Sequence, residues 1–253
     1  MPLFKTEAVI LQSRKFSETS KILVAFTREK GRMSVLVKGG RKGTKGFAGG
    51  LETLNRVEMQ IYHKGGRELQ NFKSSDLVDG YAELRKDLKR TYTALSLAEV
   101  AVRGTETEDP HADLYRALVE TLEVLDRTGE NPWSVRWNGL LRFCRELGFG
   151  MALQECRQCG SKTGPVKGFD LERGGFLCGD CKLEKPHQMP MPGESWGVLR
   201  FLDTCRPEAA ARMAVHADAG RRIEALFNAY FRYHLPGLRG FDSWKMLPQL
   251  YWE

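Results

Sequence analysis

The first eighty residues alternate apolar and polar side chains with a period of two. Five runs carry the pattern: TEAVILQSR, SKILVAFTR, MSVLVK, LNRVEMQIY and ELQNFKSS. Alternation in stretches rich in Val, Ile, Leu and Phe predicts strands that present one face to a core. Turn residues separate them: Glu29-Lys30-Gly31-Arg32 joins the second to the third, and Lys64-Gly65-Gly66-Arg67 joins the fourth to the fifth. Five short strands must hide their edges, and a small closed barrel removes them. The strand count predicts a five-stranded oligonucleotide/oligosaccharide-binding (OB) fold, with an SH3-like barrel as the competing arrangement.

From Asp79 the period becomes 3.6. Tyr81, Leu84, Leu88, Tyr92, Leu95, Ala98 and Val102 share one face of a predicted helix that stops near Gly104. A second helix takes Asp109 as N-cap and Pro110 in its first turn, buries Leu114, Leu118, Leu122 and Leu125, and ends before Gly129. A third starts at Asn131-Pro132, turns Trp133, Trp137, Leu140, Cys144 and Leu147 inward, and stops at Gly148. Helical spacing returns with Trp196, Leu199 and Leu202, then with Ala219, Ile223, Leu226, Phe227 and Tyr230. The expected fold is a multidomain α+β chain: an OB-fold nucleic-acid-binding domain over 1–79, an α-helical domain over 80–151 and 187–253, and a four-cysteine zinc ribbon inserted over 152–186.

That insert breaks the helical pattern with CRQC and CGDC, which place Cys156, Cys159, Cys178 and Cys181 as two C-x2-C pairs with eighteen residues between them. Two intervening residues let both thiolates of a pair face one metal, and a hairpin of this length returns the second pair to complete a tetrahedron. PVKGFDL and GFL flank the turn Glu172-Arg173-Gly174-Gly175, and Gly160 suits a positive-φ turn after Cys159. A structural Zn2+ on four thiolates is the expectation. Dithiol redox pairs and disulfides are the competing readings; neither pair opens a helix after a strand, and a cytoplasmic chain disfavours disulfides. Cys144 and Cys205 continue apolar helical faces and read as core. His187 is not needed as a ligand.

Charge alters the reading of the barrel. The net charge is +7, and residues 1–80 hold 15 Lys+Arg against 8 Asp+Glu while the remainder holds 24 of each. So concentrated an excess attracts polyanions. Much of it lies in KGGRKGTKGFAGG, where thirteen residues hold six glycines and four cations. Lys38, Arg41, Lys42 and Lys45 occupy this loop after the third strand, and Arg14, Lys15 and Lys21 surround the connection between the first and second. Cations following phosphates and Phe47 stacking on a base are the expected DNA contacts, with Phe16 beside Arg14 and Lys15 as a second aromatic. The alternatives are a solvated loop and phenylalanines that cap the barrel.

No nucleotide cofactor is expected, because neither G-x-x-x-x-G-K-[ST] nor G-x-G-x-x-G occurs. No nucleophile elbow, H-E-x-x-H or deaminase signature occurs either, so the expectation is a non-enzymatic protein. No apolar run is long enough for a membrane span or a leader, and the expected location is the cytoplasm.

EAVILQSRKFSETSKILVAFTREKGRMSVLVKGGRK resembles the N-terminal domain of the RecO family of bacterial recombination mediators. The likeness lies in Glu18-Thr19-Ser20, in the turn Phe26-Thr27-Arg28-Glu29-Lys30-Gly31 and in Lys38-Gly39, and it continues through Gly50-Leu51-Glu52, the four cysteines and HLPGLRGFDSWKMLPQL. The resemblance implies a protein that binds single- and double-stranded DNA and anneals complementary strands. It further implies that the chain acts with RecR to load a recombinase on DNA covered by single-strand-binding protein, in the cytoplasm and associated with the nucleoid. A zinc-ribbon adaptor binding protein or RNA partners is the alternative.

Overall fold

The computed structural model describes residues 2–39, 50–162, 165–181, 183–235 and 242–251. By contact the chain divides into two compact units, Met1–Arg127 and Thr128–Glu253. The change of period at residues 79–80 lies within the first unit.

The first unit opens with β1 (Leu3–Lys15), β2 (Lys21–Thr27), β3 (Gly31–Val37), β4 (Arg56–Tyr62) and β5 (Leu69–Asp79), which close into a barrel of order β1-β2-β3-β5-β4. All pairings are antiparallel except β3–β5, where Ser34–Leu36 runs parallel to Leu69–Asn71. This is the expected OB fold. Its interior is filled by Ala8, Ile10, Leu23, Ala25, Met33, Val35, Val37, Val57, Met59 and Ile61, the inward set of β1 to β4, together with Leu51 from the segment before β4. In β1 and β2 the intervening residues Val9, Leu11, Ile22, Val24 and Phe26 are buried as well. Their runs are continuously apolar because both faces of these strands are covered.

Helices contribute to that cover: α2 (Leu88–Gly104) packs on β1, and Tyr115 of α3 (Ala112–Arg127) meets Phe26 with ring centroids 6.0 Å apart. Polar contacts add to this packing. Tyr115 Oη donates to Glu7 Oε1 at 2.9 Å, and Arg56 Nη1 donates to Glu123 Oε1 at 2.9 Å. Burial, with Glu7 beside it, holds the Tyr115 phenol well above its ordinary range.

The helix expected from Asp79 to Gly104 is two. A short α1 (Ala82–Lys86) ends at Asp87, whose extended backbone (φ −117°) interrupts the spiral and whose carboxylate accepts the Arg90 N–H as cap of α2. The break resets the helical phase. Thr93, Ala94, Leu97, Ala98, Val100 and Ala101 are buried, while Leu88 is 65% exposed and Tyr92, Leu95 and Val102 are half-buried. The predicted α3 face is correct, with Leu114, Leu118, Leu122 and Leu125 fully buried, although the helix starts at Ala112.

The second unit is built on α4 (Pro132–Glu146), which begins after Asn131 and stops ahead of Gly148 at φ +85°. The expected inward residues Trp133, Trp137, Leu140 and Cys144 are buried, and so are Ser134, Val135, Arg136, Asn138, Leu141 and Phe143, whereas Leu147, also expected inward, is half-buried where the helix ends. Burial on every side makes α4 the hub of this unit. The fully buried Arg136 pairs with Glu224, which also accepts from Trp137 Nε1, and its guanidinium lies 4.3 Å from the Trp244 ring centroid. Burial pushes the Glu224 carboxyl up against the opposing charge of Arg136.

A sheet of order β7-β6-β8 follows, from β6 (Val166–Asp170), β7 (Gly175–Cys178) and β8 (Gln188–Pro190). The third strand extends the expected hairpin beyond residue 186. Among the described residues four helices complete the unit: α5 (Gly193–Thr204), α6 (Pro207–Ala211), α7 (Ala217–His234) and α8 (Asp242–Tyr251). Among the described residues no helix is long and apolar enough to cross a membrane.

Gly31 carries a tight constraint of the first unit. Its φ is +63°, and an added Cβ would stand 1.8 Å from the Asp109 carbonyl oxygen. Gly31→Ala is expected to lower the unfolding free energy by at least about 2 kcal/mol, through the left-handed backbone and the clash together. A urea titration reads the loss; an unchanged midpoint would mean that the Asp109 segment yields freely.

Candidate metal centre and nucleic-acid interface

The four cysteines of the two C-x2-C pairs converge. Their sulfur atoms all lie within 4.8 Å of one another. Cys156–Cys181 is 3.7 Å, Cys159–Cys178 is 3.6 Å and Cys178–Cys181 is 3.6 Å. A regular tetrahedron around zinc, with Zn–S near 2.3 Å, has edges of about 3.8 Å, whereas a disulfide needs about 2.0 Å. The arrangement is compatible with a zinc site, and the sulfurs are too far apart for a formed disulfide.

Local backbone explains the convergence. In the first knuckle Gly160 N–H donates to the Cys156 carbonyl at 2.8 Å, with Gly160 at φ +75°. In the second, Cys181 N–H donates to the Cys178 carbonyl at 3.2 Å, and Gly179 N–H to Pro165 at 2.7 Å. Cys178 N–H also points at Cys156 Sγ, 3.3 Å away. Burial opposes ionisation of Cys156, but the N–H groups of Cys178, Cys159 and Gln158 outweigh it and pull the thiol down to about 6. Burial and the adjoining sulfurs push Cys181 far the other way. Four sulfurs this close resist ionising together unless a cation compensates them, which is the chemistry of a tetrathiolate metal centre.

The cluster is held against the rest of its unit. Phe176 packs on Trp196 with centroids 5.0 Å apart, and Trp196 Nε1 donates to the Leu153 carbonyl at 3.1 Å. Tyr230 Oη donates to the Phe149 carbonyl at 2.8 Å, and His234 Nε2 lies 2.9 Å from the Leu171 carbonyl while its ring stacks on Phe149. His187 stands apart from the sulfurs as expected, with Nε2 2.8 Å from Glu172 Oε2 and 3.8 Å from the buried Asp170.

Strand register assembles the basic residues of the barrel. Lys15 pairs with Lys21, Arg14 with Ile22, and Lys21 with Val37, so Arg14, Lys15, Lys21 and Lys38 gather at one end. Phe16 projects from the same hairpin, 59% exposed. Lys21 is the exception in exposure: its Nζ donates to the Leu51 carbonyl at 3.2 Å, and burial lowers its pKa against the pull of Glu52. Arg41, Lys42, Lys45 and Phe47 lie outside the described residues.

Tyr62, 39% exposed at the end of β4, was missed from sequence. The available signal was parity: Val57, Met59 and Ile61 face the core, which leaves an aromatic on the outward set of the strand.

Comparison with known proteins places these features in a family. A family model described as "Recombination protein O N terminal" matches residues 1–81, and one described as "Recombination protein O C terminal" matches residues 85–240. Similar curated proteins include a "DNA repair protein RecO" of Anaeromyxobacter dehalogenans, 30% identical over 237 residues that cover 93% of this chain and 92% of that one. Proteins of the same description from Desulfatibacillum aliphaticivorans (31% over 246 residues, 93% of each chain) and Frankia casuarinae (31% over 243 residues, 94% of this chain and 97% of that one) are similar to the same extent.

Among the cysteines, Cys159 is exposed and Cys144 is fully buried with its thiol pushed up by burial. In chelator-treated protein a thiol alkylating agent is expected to modify Cys159 at least about tenfold faster than Cys144, because access favours it. Peptide mass spectrometry over a time course checks the order; equal rates would show that the second unit opens as a whole.

Proposed function

The chain belongs to the recombination protein O family of DNA repair proteins, and from that premise we propose that it is a non-enzymatic mediator that binds single- and double-stranded DNA and anneals complementary strands. The observation that carries this reading is the gathering of Arg14, Lys15, Lys21 and Lys38 at one end of an OB barrel, by strand register. Repulsion between two polyanions slows annealing, and a cationic surface that neutralises both strands lowers that barrier without a nucleotide. In this reading Arg41, Lys42 and Lys45 add to the same surface, and Phe47 supplies a stacking face. Family membership supports the further expectations: action with RecR, recombinase loading on strands covered by single-strand-binding protein, and a cytoplasmic, nucleoid-associated location. The helical domain is the proposed partner surface.

In the same reading Cys156, Cys159, Cys178 and Cys181 hold a structural Zn2+. Four thiolates close the coordination sphere, so the metal supplies folding energy and no open position for substrate. The segment around it is too small to build a sufficient core alone.

Charge reversal at Lys38, Arg41 and Lys42 tests the DNA surface. Affinity for single-stranded DNA should fall, and the slope of log affinity against log salt should flatten by up to ~0.7 per lost contact. Unchanged affinity and slope would remove the loop from the interface. If DNA binding instead survived these changes and vanished with the metal, the zinc-ribbon adaptor would become the better reading.

The metal assignment has its own test. Elemental analysis is expected to find about one zinc per chain, and Cys178→Ser or chelation should expose the segment from residue 152 to residue 190 to limited proteolysis while the barrel stays resistant. Protein purified without chelator that holds no zinc would end this assignment.

A further inference from the structure

A hollow of about 290 Å³ on the barrel, lined by Leu36, Lys38, Tyr62, Asn71 and Phe72, is accounted for by none of the contacts described above. Strand register explains why it exists. Leu36 pairs with Asn71 across the parallel β3–β5 seam, and Asn71 pairs with Tyr62 across β5–β4, so three side chains from three strands form one row. Phe72 packs against the interior cluster and gives the hollow an apolar floor. Lys38 is exposed at its rim and follows Val37, the register partner of Lys21. The hollow therefore adjoins the cationic end of the barrel.

Each wall has its own chemistry. The Tyr62 ring is a flat, partly exposed π-face, which any nucleobase can stack on. The Asn71 amide offers a donor and an acceptor of the kind that pair with a base edge. Lys38 can meet the phosphate attached to that base. A duplex cannot use the hollow, because its bases are stacked inside, whereas an unpaired strand can turn one base outward.

Building on the DNA-binding reading, we propose that this hollow takes one unpaired base of single-stranded DNA, stacked on Tyr62, a contact that duplex DNA cannot make.

The test compares three probes of equal length on the full chain: oligo-dT, the same backbone made abasic, and a duplex. Tyr62→Ala should weaken oligo-dT binding roughly 5- to 150-fold, the range that loss of one stacked base produces, while abasic and duplex affinities change less than about twofold. Tyr62→Phe should restore oligo-dT binding. Equal losses on all three probes, or no loss on oligo-dT, would overturn the proposal. Irradiating the wild-type protein with a strand carrying 5-iododeoxyuridine provides a measurement without mutation. A crosslink on the peptide containing Tyr62 is expected, and adducts only at other peptides would overturn it. If the wild type bound none of the probes, the DNA-binding reading itself would fall. Salt-dependent binding that is indifferent to Tyr62→Ala would remove this inference alone.

Discussion

The first unit depends on one strand serving two partners. β1 pairs with β4 along Leu3–Val9 and with β2 along Ala8–Lys15, and its register shifts between Ile10 and Gln12. The irregularity lets a single strand bend from one neighbour to the other, which closes the barrel and removes its edges. Closure also decides where the cations go. Beyond Val9, β1 has no β4 partner, so Arg14, Lys15 and Phe16 ride on a hairpin that overhangs the barrel. The pairing of Lys21 with Val37 then brings Lys38 to the same end. Charge is gathered by hydrogen-bond register, with no need for the side chains to attract one another.

The two sites pose the same electrostatic problem with opposite sign. Like charges brought close raise each other's free energy until a counter-charge arrives. At the cysteines, N–H groups favour the thiolate of Cys156 while Cys181 is held protonated, an uneven division that a bound dication would abolish. At the barrel end the cations stay largely in water, which screens them and makes their gathering cheap. Lys21 alone is drawn inward, to the Leu51 carbonyl. The sulfurs therefore suit a resident cation, and the exposed cations suit a passing polyanion.

Local pattern made much of this legible. Two-residue alternation located all five barrel strands, glycines at Gly31, Gly66 and Gly160 marked positive-φ turns, and paired cysteines announced their convergence. Periodicity reports that a face is buried without saying by what. The continuous runs of β1 and β2 thus hid their helical cover. Asp87 defeated the reading of the following helix because one extended residue rotates every later position, and an Asp is as ordinary inside a helical pattern as at a cap. Arg136 and Glu224 lie 88 residues apart, and each looks like a surface charge on its own helix. Tyr62 was visible only once parity was counted from the core outward.

Range separates the two kinds of contact proposed for the barrel. Exposed cations act across roughly a Debye length, about 8 Å at physiological salt, and respond to any phosphate backbone that comes so near. Stacking acts only in contact and requires a base free of its own partner. On the proposed reading, charge captures a strand first and the aromatic hollow sorts it afterwards. The proposed annealing would need this order: tight stacking on every base would hold a strand away from its complement, whereas sparse stacking beside an electrostatic grip leaves the remaining Watson–Crick edges open. A few separated aromatics at the edge of a cationic surface fit that requirement better than a continuous aromatic platform would.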